Sequence, residues 1–221
     1  MGTITRTFAN NITTSGVFKP TAFNNASFDN VTSVPEGAVE GGSMVLLSTQ
    51  TASSSASISF TTGIDSTYKD YMFIFNSIHP QTDGESFMVN FSTDGGSNYN
   101  VTKTTTHFIC GQREDNSGDY LYYTTSYDLA ESTANQVIFE TGDGDSDSSL
   151  SGTFSLFNPS STTYVKHFIS EIQGVSNGTP NYSWHPFVAG YGNTTSAINA
   201  VQFTMSSGNI DAGTIQMFGI L

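Results

Sequence analysis

The chain has 221 residues, with six Lys and Arg against nineteen Asp and Glu and a net charge of −13. So acidic a surface repels phosphate backbones and anionic headgroups, which excludes nucleic acid and membranes as expected partners. Only 11% of residues are charged; Ser, Thr, Asn and Gly fill the deficit, favouring strands and turns over helices with their Glu-, Lys- and Arg-rich wet faces.

The length suits one large all-β domain plus an extension, with enough chain to bury a core unaided. A single cysteine, Cys110, rules out an internal disulfide framework. In the run His107-Phe108-Ile109-Cys110 it reads as a small buried hydrophobe.

In chain order, the opening MGTITRTFANNITTSG has no continuous apolar stretch and reads as neither signal peptide nor membrane span. Residues 1–42 form a first region, an extended attachment and oligomerisation arm. Its phenylalanines stand at Phe8, Phe18, Phe23 and Phe28, the last three spaced by five. That period matches neither helix nor strand. It fits a short stacked or intertwined segment, or an arm whose rings dock separately. Val34-Pro35-Glu36-Gly37 and Glu40-Gly41-Gly42 read as a hinge. The Asn-X-Ser/Thr triplets scattered through the chain are what chance gives in so Asn-, Ser- and Thr-rich a sequence.

The second region, 43–221, opens with Met44–Leu47 and Ser57–Thr61 as strands. Asp70–Gly96 is the centre of the chain. Tyr71, Phe73 and Phe75 alternate there with Met72 and Ile74, which predicts a strand covered on both faces. After the turn dipeptide Asp83-Gly84, Phe87, Val89 and Phe91 alternate with Met88 and Asn90 as in a half-buried strand. Further strands are predicted over 102–109, 119–127, 135–141, 151–157, 162–172, 184–191, 197–205 and 214–220, with one helical turn at Asp128–Glu131. Short strands with turns at close spacing and no βαβ spacing predict an all-β fold, a jelly-roll-like antiparallel β-sandwich.

Chemical motifs are sparse. Asp143-Gly144-Asp145-Ser146-Asp147 resembles the opening of a calcium loop, but Ser148 and Phe154 stand where an EF-hand needs Gly and Glu. It reads as an acidic solvated connection or an irregular cation loop. The four histidines lack zinc spacing, and His167 reads as a core or sheet histidine. No nucleophile elbow or phosphate loop occurs. Glu85, Glu114, Glu131, Glu140 and Glu171 read as turn or strand-edge residues rather than a glycosidase pair. No catalytic residue, metal or cofactor is therefore expected. Tyr120, Tyr122, Tyr123 and Tyr127, with Tyr182, Trp184 and His185, are candidates for a glycan-stacking or interface surface.

Several stretches together resemble small virion proteins of tailed bacteriophages, notably marine ones. They are TRTFANNITTSG, GGSMVLLSTQTASSSASISFTTGIDSTYKDYMF, LSGTFSLFNPSSTTYVKHF and SAINAVQFTMSSGNIDAGTIQMFGI. The resemblance is weakest over Gln112–Asp147, which looks like variable loop sequence. It implies a jelly roll on a virion appendage, attached to the particle by its amino-terminal segment, and brings no catalytic motif. The reading is thus a non-enzymatic phage structural protein, a homotrimer touching other virion proteins. Tail fibre or receptor-binding tip stands first, with host-surface glycan contact through Tyr120, Tyr122, Tyr123, Trp184 and His185. A capsid decoration protein, a free carbohydrate-binding module and a depolymerase are the alternatives.

Overall fold

The computed structural model describes residues 44–221, all β with no helix among them. The predicted arm over 1–42, with Phe8, Phe18, Phe23 and Phe28, lies outside the described residues.

Twelve strands follow in order: β1 Met44–Thr51, β2 Ile58–Phe60, β3 Asp70–Pro80, β4 Glu85–Ser92, β5 Lys103–Arg113, β6 Asp119–Tyr123, β7 Gln136–Gly142, β8 Leu150–Phe157, β9 Lys166–Ser176, β10 Tyr182–Gly192, β11 Ala200–Met205 and β12 Ile210–Ile220. Eight make one large antiparallel sheet, β1-β12-β3-β8-β9-β10-β5-β6. Four make a small one, β7-β4-β11-β2. One pair, Gly142 with Ser176, joins the two along a seam.

The pairing explains the jelly-roll-like wrap. The consecutive strands β3, β4 and β5 are each flanked on one side by the returning β8, β7 and β6. On the other side lie β12, β11 and β10. Because β4 sits in the small sheet and its two neighbours in the large one, the chain crosses the sandwich twice.

This crossing settles the central stretch. β3 and β4 do not pair as a hairpin; they face each other across the core, with Phe75 and Phe87 edge to face at 5.2 Å. Each presents an alternating row of aromatic side chains, and two such rows are dried by opposing one another. Phe203 of β11 lies between them, within 5.1–6.4 Å of the rings of Phe60, Phe73, Phe75, Phe87 and Phe154. Edge-to-face pairs of this kind add attraction beyond burial alone.

Other expectations are corrected. β3 is not covered on both faces: Tyr71, Phe73 and Phe75 are buried, whereas Met72 and Ile74 are half-buried on the outer face. β4 is more buried than its alternation implied, Asn90 and Ser92 included, because it is an interior strand of its sheet. Asp128–Glu131 is not helical. It runs as a broken strand beside β5, Thr105 N–H donating to Leu129 O at 2.9 Å and Lys103 N–H to Ser132 O at 2.8 Å. Cys110 lies on the outer face, half-buried, rather than in the core, and His167 is a sheet histidine on the exposed face of β9.

Candidate functional site

The large sheet is twice as wide as the small one; β7 covers the inner faces of β10 and β5, which are buried, and the end strand β6 carries the exposed inward-facing ring. Parity decides what that face carries. Trp184, Gly111 and Tyr120 are register partners across β10, β5 and β6, and all point inward; Tyr122, two residues on, does the same. Gly111 is needed for the close approach: a Cβ there would stand 2.2 Å from the indole ring.

Around Trp184 stand Tyr182 at 5.4 Å, Tyr120 at 5.8 Å and Tyr122 at 6.4 Å between ring centroids. The indole is buried at 8% exposure, while Tyr122 is 45% exposed. Trp184 is therefore the floor of the cluster and Tyr122 its accessible ring.

Beneath the floor lies a buried polar seam between β5 and β7. Trp184 Nε1–H donates to Glu140 Oε1. The other carboxylate oxygen is 3.4 Å from His107 Nε2, close enough for ion pairing but not aligned as a hydrogen bond. Next along, Thr105 Oγ1–H donates to Gln136 Oε1 at 2.6 Å, and Gln136 Nε2–H to Tyr127 O at 2.9 Å. Burial, then the negative charge of Glu140, raises the Tyr122 and Tyr127 phenols above their ordinary value. Both stay protonated as hydroxyl donors well beyond neutral pH.

Two lysines close the other end of the inner face. Lys103 and Lys166 are both opposite Gly192 of β10 and wholly buried. Lys103 Nζ donates to Asn90 Oδ1 at 2.6 Å and Val101 O at 2.8 Å, and burial pushes its pKa down to about 8. Lys166 Nζ donates to Tyr164 O and Thr194 O, and burial lowers its pKa too.

The residues singled out from sequence thus divide. Tyr120, Tyr122, Tyr182 and Trp184 come together. Tyr123 and His185, one step out of phase, point to the opposite face, where His185 stacks on Phe187 at 4.2 Å and Phe187 on Phe108 at 4.9 Å. Tyr123 hydroxyl donates to Asp128 at 2.7 Å. The period of two carries this division in the sequence itself. Glu140 is not a strand-edge residue but a buried acceptor, and neither its role nor that of His107 has a sequence signal.

The acidic loop is a turn organiser. Asp143 accepts from Ser148 Oγ–H at 2.7 Å and Asn181 Nδ2–H at 2.6 Å, so its carboxylate is buried and committed, while Asp145 and Asp147 face solvent. Among the described residues no three His, Cys, Asp or Glu side chains gather as a metal site.

The arrangement can stack and hydrogen-bond an amphipathic ligand at Tyr122, on a floor held rigid by the Trp184–Glu140 bond. The chain matches no protein-family model and no curated protein.

Proposed function

We propose that the chain is a non-enzymatic structural protein of a bacteriophage virion, a jelly-roll appendage of the tail-fibre or receptor-binding-tip kind, held to the particle by its amino-terminal arm. The observation that supports this is how the phage-like stretches fall on the fold. They run through β1, β2 and the start of β3, through β8 and the start of β9, and through β11 and β12, and they supply Phe60, Phe73, Phe154 and Phe203 to the core. Gln112–Asp147, where the resemblance is weakest, supplies Tyr120 and Tyr122 to the aromatic cluster and Glu140 beneath it. A receptor-binding surface carried at the edge of a rigid β scaffold can change its target without a change of scaffold.

The ligand suited to that patch is a host-surface glycan, which offers an apolar ring face to Tyr122 and hydroxyls to the phenols. The test is adsorption. Phage carrying Tyr122→Ala should assemble normally and bind host cells at least tenfold less, with gold-labelled antibody to the chain decorating the tail tip. Label on the head would overturn the appendage reading, and undiminished adsorption would remove the glycan contact.

A further inference from the structure

Six buried polar side-chain atoms lack a hydrogen-bond partner among the described residues, and four of them lie together: both ring nitrogens of His107, Glu140 Oε2 and Thr124 Oγ1. His107 is 0% exposed, Glu140 3% and Thr124 9%. A buried donor or acceptor left unpaired costs more than an ordinary hydrogen bond contributes, so four in one place call for an occupant.

Strand pairing fixes where the group stands. Thr124 follows directly on β6, and its N–H donates to His107 O at 2.8 Å. It lies two residues beyond Tyr122 and by the alternation faces the same way. Glu140 closes the group from β7, with Oε2 3.4 Å from His107 Nε2. The outermost side chains here are exposed Tyr122 and half-buried Tyr127, whose ring centroid is 5.3 Å from that of His107. Strand β6 pairs only with β5, so no further strand of the sheet shuts that side. The group is reached past these two rings, beside the Trp184 floor rather than through it.

We infer that this group is the polar subsite of the Tyr122 patch and selects a neutral glycan by receiving one of its hydroxyls. The inference rests on the glycan reading of that patch, and three properties point to this ligand. The first is donor and acceptor chemistry. An ionised Glu140 carboxylate only accepts, His107 offers an N–H in either tautomer, and the Thr124 hydroxyl does both. A group that satisfies all three must donate and accept at once. A hydroxyl does so, whereas an ammonium only donates and a carboxylate or sulfate only accepts.

The second is charge. The negative charge of Glu140 already reaches the Tyr122 and Tyr127 phenols. The two cations of β5 are engaged elsewhere: Lys103 with Asn90 and Val101 O, Arg113 with Thr179 O and, at 3.5 Å, Asp115. An acidic sugar would therefore meet that carboxylate with no free cation of β5 to offset it. The third is reach. Two residues of strand separate Tyr122 from Thr124, roughly 7 Å, so a sugar ring stacked on Tyr122 brings a substituent to Thr124.

The full-length protein, probed with an oligosaccharide array and then by titration calorimetry, tests this. The array carries neutral hexose and N-acetylhexosamine oligomers, uronic, sialylated and sulfated oligomers, and amine-bearing glucosamine oligomers. Neutral oligomers should bind, and their acidic and amine-bearing counterparts at least tenfold more weakly. Thr124→Val, which keeps the shape and loses the hydroxyl, should weaken neutral binding at least fivefold. Thr124→Ser should restore it, with Trp184 emission unchanged in both. Glu140→Gln, which keeps an acceptor for Trp184 without the charge, should narrow the gap between neutral and acidic oligomers. Binding that needs Tyr122 but ignores Thr124→Val, that Thr124→Ser does not restore, or whose gap Glu140→Gln leaves alone overturns the inference. So does a preference for acidic or amine-bearing oligomers, and in each of these cases the glycan reading stands. An array on which no oligomer binds removes the glycan contact itself, and the inference with it.

Discussion

Trp184 is the chain's one tryptophan, so its emission reports on the aromatic cluster alone. A buried indole resting on Gly111 predicts blue-shifted emission. Gly111→Ala, placing a methyl where the ring lies, should shift that emission to the red and cost about 1–3 kcal/mol by overpacking, read by urea unfolding. Lys103 carries a pH signature. Its pKa falls from 10.5 to about 8 on folding, so above pH 8 the unfolded chain holds the proton and the folded one releases it. Stability should therefore rise with pH from about 8 towards 10, having been lowered by the full cost of burying the charge below 8. Lys103→Met should lack this rise when unfolding is followed between pH 7.5 and 9.5. Neither Lys103 nor Glu140 could be read for its role in sequence. A wholly buried lysine bonded only to an amide and a carbonyl has no pattern, and Glu140 looks like any strand carboxylate until β7 is placed opposite β5.

At the scale of the element, alternation told strand from strand well, because side chains in a sheet repeat every two residues wherever one face is dry. Val201, Phe203 and Met205 are buried as that period requires. The same period separates Tyr122 from Tyr123 and Trp184 from His185, and it would have divided the aromatic candidates in advance. Pairing was not legible. Whether β3 meets β4 in a hairpin or across the core depends on β8 and β12, eighty to a hundred and forty residues away, which compete for the edges of β3. Asp83-Gly84 gave a turn but not its destination. Phe203 sits where that crossing closes the core. Phe203→Ala should cost about 3–5 kcal/mol and leave little folded protein, whereas Phe218→Ala, on the outer face, should cost about 1 kcal/mol or less in a monomer. Equilibrium denaturation of the two variants side by side measures the contrast.

For the whole molecule, the fold class was legible because composition, turn spacing and the absence of βαβ spacing all point to one architecture. Function was less so, since a jelly roll hosts many roles and recognition rests on surfaces whose residues look ordinary in sequence. The proposed assignment rests on one such surface, the Tyr122 patch at the β6 end of the large sheet. A density map of the intact phage particle tests the account most directly. It should show this chain on a tail appendage with Tyr122 turned to solvent. A particle that lacks the chain, or one that holds it with Tyr122 buried against the head, would contradict it.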